Sequence, residues 1–187
     1  MDESIAKLLN AHLFSPTDLR LRKFEQVPKL NGIYAWWFDP IIPMVPIDDC
    51  EQRDGKSLLY VGIAPMDGTK PFGPVQRTLH GRIRTHMTNN AFGSTLRLSL
   101  GVLLGCRLRQ VSATRLTFDD HETTLSTWLD QHAAVCWLEE DEPWTLEEKL
   151  IDTLSLPLNL RGNEKHPFYE HLTKRRDDAR RLARGVI

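Results

Sequence analysis

Three polar side chains in this sequence have the chemistry that phosphodiester hydrolysis requires. Arg82 and His86 lie four residues apart and therefore share one face of a predicted helix. The guanidinium of Arg82 has the fork geometry that grips a phosphate. Glu147, near the start of another predicted helix, offers the carboxylate that Mg²⁺ needs in addition to waters and phosphate oxygens. Hydrolysis also needs an activated water and a stabilised leaving oxygen.

Two tyrosines and an asparagine accompany these residues. Tyr34 and Tyr60 lie in two predicted strands, and Asn159 follows the predicted helix that carries Glu147. Taken singly, each of these residues has a purely structural explanation. Each tyrosine is typical of the core, Glu147 of a helix-dipole partner and Asn159 of a turn cap. A tyrosine hydroxyl, with a pKa of ~10, is a poor base unless cations or hydrogen bonds lower that pKa.

Hydrophobic periodicity predicts the elements that position these residues. The predicted strands span residues 32–38, 57–64 and 134–138; residues 107–118 are ambiguous, with an alternation at 107–111 that suggests a strand. The predicted helices span residues 4–13, 76–87, 95–104, 120–132, 143–154 and 167–184, with Ser15-Pro16 as a further helix start. This order indicates an α/β fold with a small three-stranded, mainly antiparallel sheet flanked by helices.

The composition indicates a globular protein of an ordinary kind. With 187 residues, 41% of them hydrophobic and 26% charged, the chain suits a single domain. The three cysteines form no CxxC pair, which argues against a disulfide framework or a cysteine zinc site. The apolar runs are too short to cross a bilayer, and the acidic N-terminus does not resemble a signal peptide. We therefore expect a cytoplasmic protein without a membrane partner.

Charge is distributed unevenly along the chain, although the net charge is only −1. Residues 68–118 contain Lys70 and seven arginines but no acid, whereas residues 119–152 contain eleven acids and one base. Such asymmetry can steer a polyanion towards one face. The alternative is that the basic and acidic blocks pair with each other across the surface.

The ordered set of motifs resembles the GIY-YIG nuclease family from residue 32 to about residue 160. The matching elements are Gly32-Ile33-Tyr34, Tyr60-Val61-Gly62, Arg82 with His86, Glu147 in Glu147-Glu148-Lys149-Leu150-Ile151, and Asn159 in Pro157-Leu158-Asn159. Glu148 is an alternative to Glu147, whose spacing to Leu150-Ile151 fits the family better. The long segment 39–57 between the two motif halves resembles the restriction-endonuclease branch, and Ile63 stands where many relatives have Lys or Ser.

The resemblance implies a metal-dependent DNA endonuclease, with RNA as an alternative substrate. It implies that Tyr34 takes the proton of the attacking water, directly or through a network, and that Glu147 holds Mg²⁺ or Mn²⁺. Tyr60 and His86 would orient water and share charge, Arg82 would grip the phosphate, and Asn159 would hold the surrounding shell. One active site cuts one strand, so double-strand cleavage would need a homodimer or sequential binding events.

The same comparison divides the single domain 1–187 into three parts. Residues 1–30 form an N-terminal helical extension, residues 31–160 the GIY-YIG-like core with the inserted loop 39–57, and residues 161–187 a basic C-terminal helix. A run of arginines in that last helix suits a DNA backbone, but acids interrupt it, and a solvated face is the safer interpretation.

Four further residues are candidate substrate contacts: Arg84, Ser94, Thr95 and Arg97. Hydroxyls and backbone amides at the predicted helix start near Ser94 could contact phosphate. A capped amphipathic helix without a ligand explains the same pattern equally well.

Other classes of protein remain as alternatives. The main one is a nucleic-acid-binding module of the same fold with little or no catalytic activity. A zinc protein could use His80, His86 and Cys106, or His121, His132 and Cys136, although neither spacing matches a usual ligand set. A Cys-His hydrolase is the weakest alternative, because no cysteine lies at a strand-to-helix elbow.

Overall fold

A computed structural model of the protein describes residues 2–40, 42–65, 78–88 and 90–185. In this part of the chain the α-helices are α1 (Glu3–Asn10), α2 (Pro16–Leu21), α3 (Leu79–Thr88), α4 (Thr95–Leu103), α5 (His121–His132), α6 (Pro143–Thr153) and α7 (Tyr169–Ala183). The strands are β1 (Gly32–Phe38), β2 (Gln52–Arg53), β3 (Lys56–Ala64), β4 (Arg109–Gln110), β5 (Leu116–Thr117) and β6 (Ala133–Glu139). The predicted start of a helix at residue 76 lies outside the described residues. None of the described helices combines the length and the apolar character that crossing a membrane would need.

The main sheet has four strands in the order β2-β3-β1-β6, and every neighbouring pair is antiparallel. The α/β class and the antiparallel pairing agree with the prediction, but the predicted count of three strands is wrong. The additional strand, β2, lies inside the segment 39–57 that was predicted to be a loop, and pairs with the start of β3. Asp54 and Gly55 form its turn at φ 51° and 73°, which is the Asp-Gly signature of a tight hairpin. Two polar residues are too few to give strand periodicity, so the turn was the only signal available.

Strand β1 is the centre of the molecule, because it pairs with β3 on one side and β6 on the other. Alternate side chains therefore enter two separate cores. Ile33, Ala35 and Trp37 pack on one face together with α1 and α6 residues, whereas Tyr34, Trp36 and Phe38 pack on the opposite face. All seven residues of β1 are buried. A strand covered on both faces can hold a polar side chain such as Tyr34 at a fixed position.

A buried ion pair joins α4 to α5. Arg97 is fully buried, and its Nη2 donates to Oε2 of Glu122 at 2.8 Å and to the Glu122 carbonyl at 2.7 Å. The second carboxylate oxygen of Glu122 accepts from the backbone N–H groups of Ala91 and Phe118. The pair therefore fixes the loop before α4 and the start of α5 at once. It also links the basic and acidic blocks of the sequence, as does the exposed pair between Arg109 and Asp119.

We predict that Arg97→Met lowers the free energy of unfolding by about 3–5 kcal/mol, because it leaves the Glu122 carboxylate without its charged partner. Urea denaturation followed by circular dichroism measures this loss. Arg107→Met is the matched control, since Arg107 is exposed, and its effect should stay within about 0.5 kcal/mol. Equal effects of the two substitutions would contradict the structural role of Arg97.

Candidate active site

One cavity of about 340 Å³ collects most of the predicted site residues. Its walls come from β1, β3, α3, α4, α6, α7 and the segment after α6, and they include Tyr34, Tyr60, Arg82, Thr95, Glu147 and Asn159. These residues are far apart in sequence, and the central strand pair β1–β3 brings them together. Five of the six predicted catalytic residues therefore border a single space.

Tyr34 is seated directly across from a glycine. The β1–β3 register pairs Tyr34 with Gly62. A Cβ atom at Gly62 would lie 2.5 Å from the Tyr34 hydroxyl oxygen and 2.7 Å from Cζ, which is too close for any side chain. The absence of a side chain at Gly62 thus leaves room for the tyrosine ring. This explains why glycine completes the motif Tyr60-Val61-Gly62.

His86 lies behind Tyr34 rather than in the cavity. It is fully buried, with Nε2 2.8 Å from the Tyr34 hydroxyl and Nδ1 2.8 Å from Oγ of Ser94. Burial lowers its pKa well below the usual value, and the charges of Arg82 and Arg97 lower it further. The imidazole is therefore neutral near pH 7, with one nitrogen that donates and one that accepts. His86 therefore contacts the Tyr34 hydroxyl and does not itself line the cavity.

The guanidinium of Arg82 shares a buried environment with the two tyrosines. The pKa of Arg82 is raised, and the nearby Tyr34 is the main cause. The pKa of Tyr34 is also raised, because burial outweighs the opposing effect of the Arg82 charge. The Tyr34 hydroxyl is consequently protonated in the resting protein. Arg82 is only 5% exposed, and its Nε is buried without a hydrogen-bond partner among the described residues.

Tyr60 completes the aromatic side of the cavity. Its ring centroid lies 6.5 Å from that of Tyr34 and 5.9 Å from that of His86. Burial raises its pKa, and the charge of Arg82 and the hydroxyl of Thr95 oppose this rise. Tyr60 is therefore a second protonated phenol that borders the same space.

The predicted cation ligand of the cavity, Glu147, comes from α6. Leu146 and Leu150, four residues apart, are buried under the sheet, and Glu147 lies at the margin of that face, half-buried and beside the cavity. Its negative charge contributes to the raised pKa values of Tyr34 and Tyr60. The alternative residue, Glu148, is exposed and is not among the residues that line the cavity. Within the described residues, no group of three or more His, Cys, Asp and Glu side chains could hold a metal ion. The two cysteine–histidine sets considered from the sequence thus receive no support as zinc sites.

Asn159 ties β3 to the segment that follows α6. Its side-chain amide accepts from the backbone N–H of Val61 and donates to the Val61 carbonyl, each at 2.9 Å. Asn163, which the sequence did not single out, donates to the Asn159 carbonyl at 3.1 Å and to the Leu156 carbonyl at 2.9 Å. These bonds hold the middle of β3, next to Tyr60 and Gly62, at a fixed distance from the segment 156–163.

The four predicted substrate contacts do not share one environment. Thr95 is exposed and lines the cavity, whereas Arg84 is exposed and is not among the residues that line it. Ser94 is buried, caps α4 through the Arg97 N–H at 3.1 Å and contacts His86. Arg97 is fully enclosed by its pair with Glu122. Ser94 and Arg97 therefore do not line the cavity, unlike Thr95, because each is buried in contacts that join α3, α4 and α5.

The last helix contributes a wall that sequence reasoning missed. Tyr169, Thr173, Arg176, Asp177 and Arg180 of α7 line the cavity, together with Arg161 from the preceding segment. The spacing of Thr173, Arg176 and Arg180, at three and four residues, places them on one helix face. That spacing was a usable signal, but the many charges of this helix favoured a solvated face.

Comparison with known proteins gives one match. A family model described as the GIY-YIG catalytic domain matches residues 32–178, well over half of the chain. The match begins at β1 and extends into α7, so it includes most of the helix that lines the cavity but not Arg180. Searches of curated proteins and of solved structures each give no match.

We predict that Gly62→Ala destabilises the protein by about 1–3 kcal/mol, because the new methyl group overlaps the Tyr34 ring. A double-mutant cycle with Tyr34→Phe, measured by urea denaturation, isolates this contact. The cost of Gly62→Ala should be smaller in the Tyr34→Phe protein, which lacks the nearest atom. Identical costs in both backgrounds would contradict the assigned contact.

The depressed pKa of His86 predicts a pH dependence of stability. Below about pH 6.5 the unfolded chain binds a proton at this residue that the folded protein does not bind. Protonation then favours unfolding, so stability falls as the pH decreases, by up to about 1.4 kcal/mol per pH unit.

Thermal and urea unfolding of the wild type and of His86→Gln, from pH 7.5 to pH 5, test this dependence. The stability advantage of the wild type should shrink as the pH falls. The lowered pKa values of His80 and His166 affect both proteins equally and cancel in the difference. Parallel curves for the two proteins would refute the assignment.

Proposed function

The chain belongs to the GIY-YIG catalytic domain family, and we propose that it is a metal-dependent endonuclease that hydrolyses phosphodiester bonds in DNA. Family membership supports nuclease activity in general. The observation that carries the proposal is the convergence of Tyr34, Arg82 and Glu147 on one cavity. In one partly enclosed space, the phenol could accept the proton of the attacking water, the guanidinium could bind the phosphate, and the carboxylate could bind a cation.

The cavity fits a hard divalent cation with few protein ligands. Glu147 would hold Mg²⁺ or Mn²⁺, with waters and phosphate oxygens filling the remaining positions. When bound, such an ion neutralises developing charge on the phosphate and lowers the pKa of water. The lack of a multi-residue metal cluster among the described residues is compatible with this arrangement, because Mg²⁺ often uses one or two carboxylates.

Arg82 is the proposed phosphate contact. Arg82 is buried, and the tyrosines beside it are protonated. Their hydroxyls therefore do not neutralise its positive charge. A phosphate oxygen would supply that compensation through charge-assisted hydrogen bonds. Because α3 holds Arg82 and His86 one turn apart, it fixes the position of the guanidinium relative to the Tyr34–His86 hydrogen bond.

Tyr34 is proposed to accept the proton of the attacking water as part of a relay. Its raised pKa makes a free tyrosinate costly. Transfer of the Tyr34 proton to Nε2 of His86, as the hydroxyl oxygen receives the proton from water, avoids that species. Burial and two arginines keep His86 neutral at rest, so the acceptor nitrogen is available. The negative charge of the incoming phosphate would ease the protonation of His86.

We propose that one chain, which has one active site, cleaves one DNA strand at each binding event. A double-strand break would then need two protomers or two successive binding events. We also propose that the chain is nearest to the restriction-endonuclease branch of the family, because the long segment 39–57, which contains β2, separates the two motif halves. Among the described residues, four arginines and two carboxylates line the cavity, a balance that suits a polyanion.

We predict that Glu147→Gln lowers the rate of metal-dependent cleavage of a labelled DNA duplex by at least about 100-fold, because the amide is a poorer ligand for a hard cation. Glu148→Gln is the matched control, since it removes the same charge from the exposed neighbouring position. The Glu148→Gln variant should cut at nearly the wild-type rate. EDTA should abolish cleavage by the wild type and by Glu148→Gln.

Two outcomes would contradict the proposal. Wild-type rates in Glu147→Gln would exclude a cation ligand at this position. Salt-sensitive DNA binding by the wild type without cleavage under any metal condition would favour a nucleic-acid-binding module of the same fold.

A further inference from the structure

The wall formed by α7 contains a buried arginine that the proposed reaction does not use. Arg176 is 8% exposed, and its Nε is buried with no hydrogen-bond partner in the described part of the chain. Burial is the main reason that the pKa of Arg176 falls to about 10, and the charge of Arg180 adds to the effect. Removing a guanidinium from water without a paired anion is costly. Such a cost is typical of a functional position rather than of a stabilising one.

The polar atoms around the cavity share this feature. Arg82 and Arg176 each have a buried Nε without a hydrogen-bond partner among the described residues. The Thr173 hydroxyl, one turn before Arg176 on α7, is also buried without such a partner. All three side chains line the same cavity. Unsatisfied buried donors from α3 and α7 around one space indicate that a ligand with several acceptor atoms belongs there.

Arg176 and Arg180 also line a second, smaller groove next to the cavity. This groove has a volume of about 170 Å³ and lies between α7, the start of α4 and the β4–β5 hairpin. Its apolar lining includes the buried Leu98, Leu108 and Leu116, and Arg184, which caps the C-terminus of α7, extends the basic edge beyond Arg180. The two spaces therefore meet at the same pair of arginines.

An exposed aromatic residue stands at this groove. Phe92 lines it and is 61% exposed, although most large apolar side chains of the fold are buried. An aromatic face beside cationic side chains is the combination that binds an unstacked nucleotide, because the base stacks while the phosphate is neutralised. The apolar floor has no evident function in a groove that stays empty.

We propose that this groove binds the nucleotide next to the scissile phosphate, with its phosphate on Arg176 and Arg180 and its base against Phe92. The inference rests on the proposed nuclease function and specifies where the substrate strand leaves the active site. A base held in the groove is no longer stacked in a duplex. The protein should therefore prefer substrates with an unpaired nucleotide beside the cleavage position, such as single strands or flaps, over continuous duplex.

Equilibrium binding of a fluorescent single-stranded oligonucleotide by the full chain, in EDTA and over a range of salt concentrations, tests the proposal. Arg176→Met should weaken binding by about tenfold or more, and it should reduce the slope of log K against log salt by about 0.7, the value for one lost phosphate contact. Arg175→Met is the matched control, because Arg175 is the exposed neighbour of Arg176 on α7. It should change both quantities much less.

Two further variants separate a binding role from a structural one. Phe92→Ala should weaken single-strand binding without changing the salt slope, since stacking releases no counterions. Arg176→Met should unfold at the wild-type temperature or higher, because it removes an uncompensated buried charge. If Arg176→Met does not fold, Arg180→Gln provides the same binding test at a less buried position.

The outcomes distinguish this proposal from the one on which it depends. Binding by Arg176→Met and Phe92→Ala that equals that of Arg175→Met, while the wild type cuts DNA, overturns the groove assignment alone. Equal affinity of the wild type for flapped and continuous duplex substrates would also overturn it. If the wild type neither binds nor cuts any nucleic acid, the nuclease proposal fails, and the groove assignment fails with it.

Discussion

The hydrogen bond between the buried Tyr34 hydroxyl and Nε2 of His86 is the interaction on which the site depends. It can form only because Gly62, opposite Tyr34 in the register of β1 and β3, leaves the space that the ring occupies. His86 in turn is held by Ser94, whose hydroxyl also caps α4. Through His86, this contact couples the central strand to α3, which carries Arg82, and to α4. Movement of any of these elements would disturb the cavity.

Electrostatics explains why so many polar groups remain inside this part of the fold. Arg82 on α3 and Arg176 on α7 each have a buried Nε that no described residue satisfies. By contrast, Arg97, equally deep but outside the cavity, is fully compensated by Glu122. The buried arginines thus differ in their partners: Arg97 is paired within the fold, whereas Arg82 and Arg176 each keep a buried Nε that the proposed phosphate contacts would satisfy. A polyanionic substrate would complete the unsatisfied set.

The sequence predicted the parts of the site that short motifs and helix spacing encode. Tyr34, Tyr60, Arg82 and Glu147 lie on elements that hydrophobic periodicity predicts, Asn159 lies in the segment after α6, and all five border the cavity. The role of His86 behind Tyr34, and the burial of Ser94 and Arg97, depend on how α3, α4 and α5 pack together, which spacing alone does not determine. β2 escaped prediction because two polar residues carry no strand pattern. Arg176 was read as a surface charge because its burial arises from tertiary packing of α7 against α4.

Plasmid cleavage by the wild type and by Tyr34→Phe, each with Mg²⁺, Mn²⁺ or EDTA, tests the central claim most directly. The substitution removes the hydroxyl that joins the cavity to His86 and keeps the ring that packs over Gly62. We expect nicking of supercoiled plasmid by the wild type only with metal, and a loss of at least about 100-fold in Tyr34→Phe. Cleavage by Tyr34→Phe at the wild-type rate, or cleavage by the wild type in EDTA, would contradict the assignment of this cavity as a metal-dependent catalytic centre.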